Sequence, residues 1–219
     1  MADTAALRDY YAKRAAEYER IYQKPERQAE LALLKQLVGD YLADRQVLEV
    51  ACGTGYWTEV FAVRARSVTA TDVNEEVLAI ARTKGFPAGR VKFLSADAYA
   101  PASILGEFDA AYAGFWWSHV GRTRRADFLA ALHARLPEAS SVLFIDNNYV
   151  QGSSTPISRV DEEGNSYQLR RLDNGETFEV LKNFSTEAEL RAVVAPFAAK
   201  IEVRLFQYYW ALLYETATK

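Results

Sequence analysis

The run Val47-Leu48-Glu49-Val50-Ala51-Cys52-Gly53-Thr54-Gly55-Tyr56-Trp57 joins an apolar strand to a glycine turn that opens a helix. Glycines at 53 and 55 let the backbone turn sharply and approach a ligand, and the following helix offers unpaired amides at its start. A dinucleotide site needs G-x-G-x-x-G, with a third glycine beside the pyrophosphate. Here Tyr56 or Thr58 stands at that place, depending on the register chosen, so bulk occupies the space of a diphosphate. No Gly-Lys-Ser/Thr follows, which excludes a phosphate-binding P-loop.

Outward from this turn, β-rich and helical runs alternate. Val47 to Val50, Val68 to Thr71, Val91 to Leu94, Phe108 to Tyr112 and Val142 to Ile145 read as strands, with helices over 56–64, 74–84 and 122–135. The alternation predicts an α/β fold of the Rossmann-like, doubly wound type, with a mostly parallel sheet. Upstream, helical spacing of Tyr10, Tyr11, Arg14 and Tyr18 predicts a helix over 4–22, and a second follows over 25–43 with Pro25 at its start. The stretch 151–165, rich in Ser, Gly, Asp and Glu, reads as a mobile connector. After it, Tyr167 to Leu172 and Thr177 to Leu181 flank Asp173-Asn174-Gly175, a tight-turn signal for an inserted β-hairpin. A capped helix from Ser185 to about 197 and two strands, Ile201 to Phe206 and Tyr208 to Thr216, would close the chain as an antiparallel edge. We therefore expect one domain over 1–219: a helical cap (1–43), a ligand-binding core (44–150), the connector and hairpin (151–184), and a C-terminal helix with strands (185–219).

Composition narrows the function. Half the residues are hydrophobic and a quarter charged, and no apolar run reaches membrane-spanning length. The first residues lack the basic and apolar regions of a signal peptide, so a soluble, cytoplasmic protein is expected. A net charge of -3 without a dense basic tract argues against nucleic acid as a partner. Arg122, Arg124 and Arg125 form the strongest basic cluster, either a solvated helix start or an anion site at a ligand mouth. Cys52 is the only cysteine and the histidines are only His119 and His133, so neither a disulfide nor a metal centre is expected.

Further along the chain, Asp72 and Asp97 stand at the ends of the second and third strands. About twenty residues beyond a glycine turn, an acidic strand end suits a ribose, whose hydroxyls it can accept. At the third strand end Asp97 can accept from an adenine amino group while Ala98 closes over the ring. After the fourth strand comes Gly114-Phe115-Trp116-Trp117-Ser118-His119, an aromatic segment suited to shielding a cation and excluding water. His119 is a candidate general base by its near-neutral titration, or a structural histidine.

The ordered set of glycine turn and acidic strand ends resembles the class I S-adenosylmethionine (SAM) methyltransferases over at least residues 10–146. Ala51 replaces the usual first glycine of the family's motif. The resemblance implies SAM as cofactor and S-adenosylhomocysteine as product, with the turn holding methionine (Glu49, Gly53, Gly55, with Trp57 beyond it), Asp72 and Val73 holding ribose, and Asp97 and Ala98 holding adenine. It also implies that Tyr11 and Arg14 close over the SAM carboxylate and that Phe115 lines the site, though helix-core packing of the tyrosines is the other reading. Glu49 either contacts SAM or only orders the turn.

The chain lacks the Asn/Asp-Pro-Pro-Tyr motif of DNA amine methylases, so a small-molecule acceptor is the expectation. The hairpin with Arg170, Arg171 and Lys182, together with Trp116, Trp117 and His119, resembles a subgroup that includes a phosphonate O-methyltransferase, in which an arginine and a lysine meet an anionic acceptor and a tyrosine, here Tyr22, lies near. Strand alternation turns Arg170 and Arg171 to opposite faces, so at most one enters the pocket. The expected reaction is O-methylation of a small anion, with N- or C-methylation, or SAM binding without catalysis, as alternatives. His119 and Tyr22 are the catalytic candidates, and the oligomeric expectation is a monomer or homodimer.

Overall fold

A computed structural model describes residues 2–101 and 104–218. Strand β1 (Gln46–Val50) lies inside the main sheet between two neighbours, with Val47, Leu48 and Val50 all at most 1% exposed. Such a strand is buried on both faces, which is what a crossover-connected parallel sheet demands. With β2 (Ser67–Asp72), β3 (Val91–Ser95), β4 (Ala110–Gly114), β5 (Ser141–Asn147), β9 (Ala198–Leu205) and β10 (Tyr209–Thr216), it forms a seven-stranded sheet of order β3-β2-β1-β4-β5-β10-β9. The first five strands are parallel. β10 runs antiparallel to both β5 and β9, so the last two strands pair as the antiparallel C-terminal edge that the sequence predicts.

Period-2 alternation sends neighbouring side chains to two cores. Val47, Leu143, Ile145, Ala211 and Leu213 meet α2 (Gln28–Tyr41) and α3 (Tyr56–Ala62) on one face, with Leu78 of α4 (Glu75–Thr83). Leu48, Val142, Phe144, Trp210 and Leu212 meet α5 (Arg125–His133) and α6 (Glu187–Val194) on the other. Thr186 caps α6 through a capping box with Glu189.

A second, antiparallel sheet of β6 (Arg159–Val160), β7 (Ser166–Arg171) and β8 (Thr177–Leu181) stands beside the first. The stretch read as a mobile connector therefore contributes a short strand, Arg159 and Val160 pairing with Tyr167 and Ser166. Helix α1 (Ala2–Arg14) lies on this hairpin, burying Leu7 and Tyr10 against Leu172 and Val180. The first helix is shorter than its spacing suggests: residues 15–23 and 25–27 continue as 3-10 turns on either side of Lys24. Tyr18, Ile21, Lys24 and Arg27 all face one chamber, Lys24 from the extended residue (φ -60°, ψ 120°) that separates the two 3-10 stretches. No described helix is long and apolar enough to cross a membrane.

Candidate active site

A cavity of about 620 Å³ opens at the carboxyl ends of β1 to β4, roofed by α1. Open α/β sheets place ligands at this edge. The glycine turn forms its floor, with three left-handed residues in succession: Ala51 (φ 54°), Gly53 (φ 55°) and Gly55 (φ 75°). The two glycines do different work. A Cβ on Gly53 would meet nothing within 4 Å, and Gly53 lines the cavity, whereas a Cβ on Gly55 would come within 3.2 Å of the Ala81 Cβ on α4. Gly53 leaves room for a ligand, and Gly55 lets two helices approach.

Asp72 closes β2 at the cavity wall. Its Oδ2 accepts the Gly53 amide and its Oδ1 the Asn74 amide, each at 2.9 Å. A carboxylate offers about four lone-pair sites, so two remain for a ligand. Burial raises this carboxyl from its ordinary value, against the lowering pull of the backbone amides. Val73, Asp97, Ala98, Phe115 and Trp116 line the same cavity. Asp97 Oδ1 accepts the Tyr99 amide at 2.9 Å, and the Arg124 guanidinium lies 4.3 Å from the Tyr99 ring centre. Phe115 holds φ at 61°, a strained setting for a bulky residue that turns β4 sharply at the cavity wall.

Five expected contacts stand behind the wall. Glu49 is 1% exposed and accepts the Thr58 hydroxyl at 2.6 Å, and burial pushes its carboxyl up to about 8, so it orders the turn from beneath. Gly55 faces α4, as described. The Trp57 ring packs beside Phe115 and donates Nε1–H to the Tyr22 hydroxyl at 3.2 Å. Tyr22, expected near the acceptor, stacks on Tyr56 at 4.0 Å and lines neither this cavity nor the second. Trp117 also turns inward, stacked on Phe144 with its Nε1–H on the Ser185 hydroxyl. Arg171 points outward with the exposed Leu169, while Arg170 faces in. The basic cluster disperses: Arg122 pairs with Glu189, Arg125 is buried against Trp117, and Arg124 alone reaches the cavity.

A second chamber of about 200 Å³ adjoins the first, and Tyr11, Tyr18, Phe115 and His119 line both. At this junction His119 Nδ1 lies 2.6 Å from the Leu181 carbonyl, which can only accept. Nδ1 therefore carries the proton, and Nε2 accepts the Tyr11 hydroxyl at 2.8 Å. Burial, reinforced by Lys182, lowers the His119 pKa to about 3, and burial raises Tyr11 well above its ordinary value. The pair is neutral across the physiological range.

The second chamber is cationic. Arg14, Lys24, Arg27, Arg170 and Lys182 all line it. Lys182 forms a buried ion pair with Asp146 at 3.1 Å and donates to the Ser118 hydroxyl at 2.6 Å. The other four have no carboxylate at salt-bridge distance among the described residues: Arg14 donates to the Tyr10 hydroxyl, Arg170 to the Gln168 side-chain carbonyl, and Lys24 and Arg27 to Ser153. Sequence reasoning missed Asp146, although it closes an apolar strand just as Asp72 does. It also missed Lys24 and Arg27, whose placement depends on 3-10 turns and the extended break between them, which helical periodicity conceals. Among the described residues no cluster of three or more metal-ligating side chains occurs.

The family model described as a methyltransferase domain matches residues 47–138. A search of curated proteins finds no match. Among solved structures, the DhpI-SAH complex superposes with a TM-score of 0.78 at 25% identity, over 98% of this chain and 97% of that one. The DhpI-SAM-HEP complex gives a TM-score of 0.77 at 24% identity, over 97% of both chains. The 1,6-didemethyltoxoflavin-N1-methyltransferase of Burkholderia thailandensis shares the fold at a TM-score of 0.64 and 17% identity, over 98% of this chain and 89% of that one. Together with the glycine turn, the acidic strand ends and the sheet order, the methyltransferase-domain match over residues 47–138 and the likeness to the DhpI-SAH complex support a class I SAM-dependent methyltransferase.

Proposed function

We propose that this SAM-dependent small-molecule methyltransferase methylates an oxygen of a small anion, a phosphonate or carboxylate. One observation carries the reading: four cations without a carboxylate partner line a chamber that meets the larger cavity at the Tyr11–His119 pair. Cations gathered out of bulk water without anions are costly unless a ligand supplies the countercharge.

The larger cavity fits SAM by its donor set and space. Gly53 has the open side a close ligand needs, Asp72 keeps lone pairs for ribose hydroxyls, Asp97 lies at the adenine end, and about 620 Å³ is ordinary for a cofactor-sized ligand. When bound, SAM would supply a methyl group already activated on its sulfonium, and an acceptor oxygen already ionised would need no proton removed. The chain's task is to align the acceptor and exclude water. Tyr11, Tyr18 and Phe115 surround the junction with rings, whose faces favour a neighbouring cation. Tyr11 directs its proton to His119, leaving its oxygen lone pairs turned elsewhere. His119 holds Tyr11 in place and takes no proton from an acceptor that is already ionised. Arg170 and Lys182 would hold the acceptor's anionic group, and Asp146 keeps Lys182 in position.

The test is turnover to S-adenosylhomocysteine with short phosphonates and carboxylates against phenols and amines of like size. Turnover of the acids alone supports the reading. Turnover of amines or phenols with none of the acids refutes it.

A further inference from the structure

Lys24 and Arg27 hold different partners from the other cations of the chamber. Arg14 donates to the Tyr10 hydroxyl, Arg170 to the Gln168 side-chain carbonyl and Lys182 to the Ser118 hydroxyl beside His119. Lys24 and Arg27 instead meet the Ser153 loop, Lys24 from the extended break between the two 3-10 stretches and Arg27 from the end of the second.

Arg27 is only 7% exposed, yet its five N–H donors are poorly used. The Ser153 hydroxyl accepts at 2.9 Å, Asn147 Oδ1 and the Ser153 carbonyl lie at 3.4 and 3.5 Å, and Nε has no partner. The rings of Tyr208 and Tyr209 lie near it at 5.1 and 5.7 Å, and the Tyr209 oxygen also accepts a hydrogen bond from it. Lys24 donates to the Ser153 carbonyl at 2.7 Å. Glu26, between them in sequence, is exposed and accepts the Ser153 hydroxyl rather than pairing with either cation. The Ser153 loop is also tied by its own amide to the Val150 carbonyl at 3.1 Å, so its anchorage does not rest on the two cations. A buried guanidinium with Nε unpartnered, two contacts stretched to 3.4 and 3.5 Å and no carboxylate at salt-bridge distance is suited to an anion.

We propose that the acceptor carries two anionic groups: one beside His119, which receives the methyl, and a second bound by Lys24 and Arg27. Resting on the anionic reading above, this narrows the substrate class to short diacids, such as a phosphonate bearing a carboxylate at its far end. One cluster fixes the reacting oxygen. The other sets the length of molecule that reaches it.

Chain-matched acceptor pairs test this: ethylphosphonate against 3-phosphonopropionate, and propionate against succinate, with methyl transfer followed by mass spectrometry. One more charge-assisted contact predicts a kcat/KM at least about tenfold higher for the two-headed member of a pair. In Lys24→Ala and Arg27→Gln, each shown by thermal melting to be folded, that ratio should fall toward one through KM. The less buried member of the pair, Lys24, keeps the test open if Arg27→Gln does not fold. Equal turnover of both members by the unaltered enzyme, or an undiminished ratio in Lys24→Ala, overturns the two-headed acceptor and leaves the anionic reading standing. Methylation of no acid of either kind removes both.

Discussion

Asp72 has two oxygens fixed by backbone amides and spare lone pairs at the cavity wall. Asp72→Ala should weaken SAM binding by roughly 1.5–3 kcal/mol, the worth of hydrogen bonds to a charged group, as read by isothermal titration. Unchanged affinity would remove Asp72 from the ribose site. At the junction, His119 is held near 3 and Tyr11 is raised, so neither titrates near neutrality. With a carboxylate acceptor, ionised throughout this range, kcat should stay level from about pH 6 to about pH 9. Tyr11→Phe should lower kcat without introducing a new inflection in that range. A limb near pH 6.5 that vanishes in His119→Gln would make His119 a base.

At the scale of elements, the glycine turn separates binding from folding. Gly53→Ala places a methyl in open cavity space and should chiefly weaken SAM, whereas Gly55→Ala drives a Cβ toward α4 and should chiefly destabilise the fold. Left-handed backbone costs a non-glycine residue roughly 1–2 kcal/mol, so both variants lose some stability, Gly55→Ala more. Urea unfolding beside SAM titration checks the split. Much of this scaffold was legible beforehand. Apolar runs ending in Gly53, Asp72 and Asp97 mark strand ends, and period-2 alternation separates Arg170 from Arg171. What periodicity could not tell was direction within the aromatic segment. Trp116 and Trp117 are adjacent, but a tight turn after the left-handed Phe115 sends one to the cavity and the other to the core. Nor could it find Lys24 and Arg27, which a uniform helix over 4–22 and another from 25 would place differently from the observed 3-10 turns.

Across the whole molecule, buried groups with shifted titration shape stability against pH. Glu49 is raised from 4.5 to about 8, so the folded protein holds a proton that the unfolded chain has released. Its contribution is complete below about pH 4.5, declines as pH rises, and is gone above about pH 8. Glu49→Gln, permanently neutral, should flatten the decline in urea midpoint between pH 5 and pH 9; an unchanged slope would place the cause elsewhere. His119 and His133 act at the acid side: lowered to about 3 and about 4, they stay neutral while the unfolded chain takes up protons below about 6.5, so stability is lost as pH falls. The joined cavities reach the central claim most directly. With methyl-labelled SAM and a panel of small phosphonates, carboxylates, phenols and amines, label should appear on an oxygen of an acid, with loss of that turnover in Arg170→Ala. Label on an amine or phenol, with every acid inert, would contradict it.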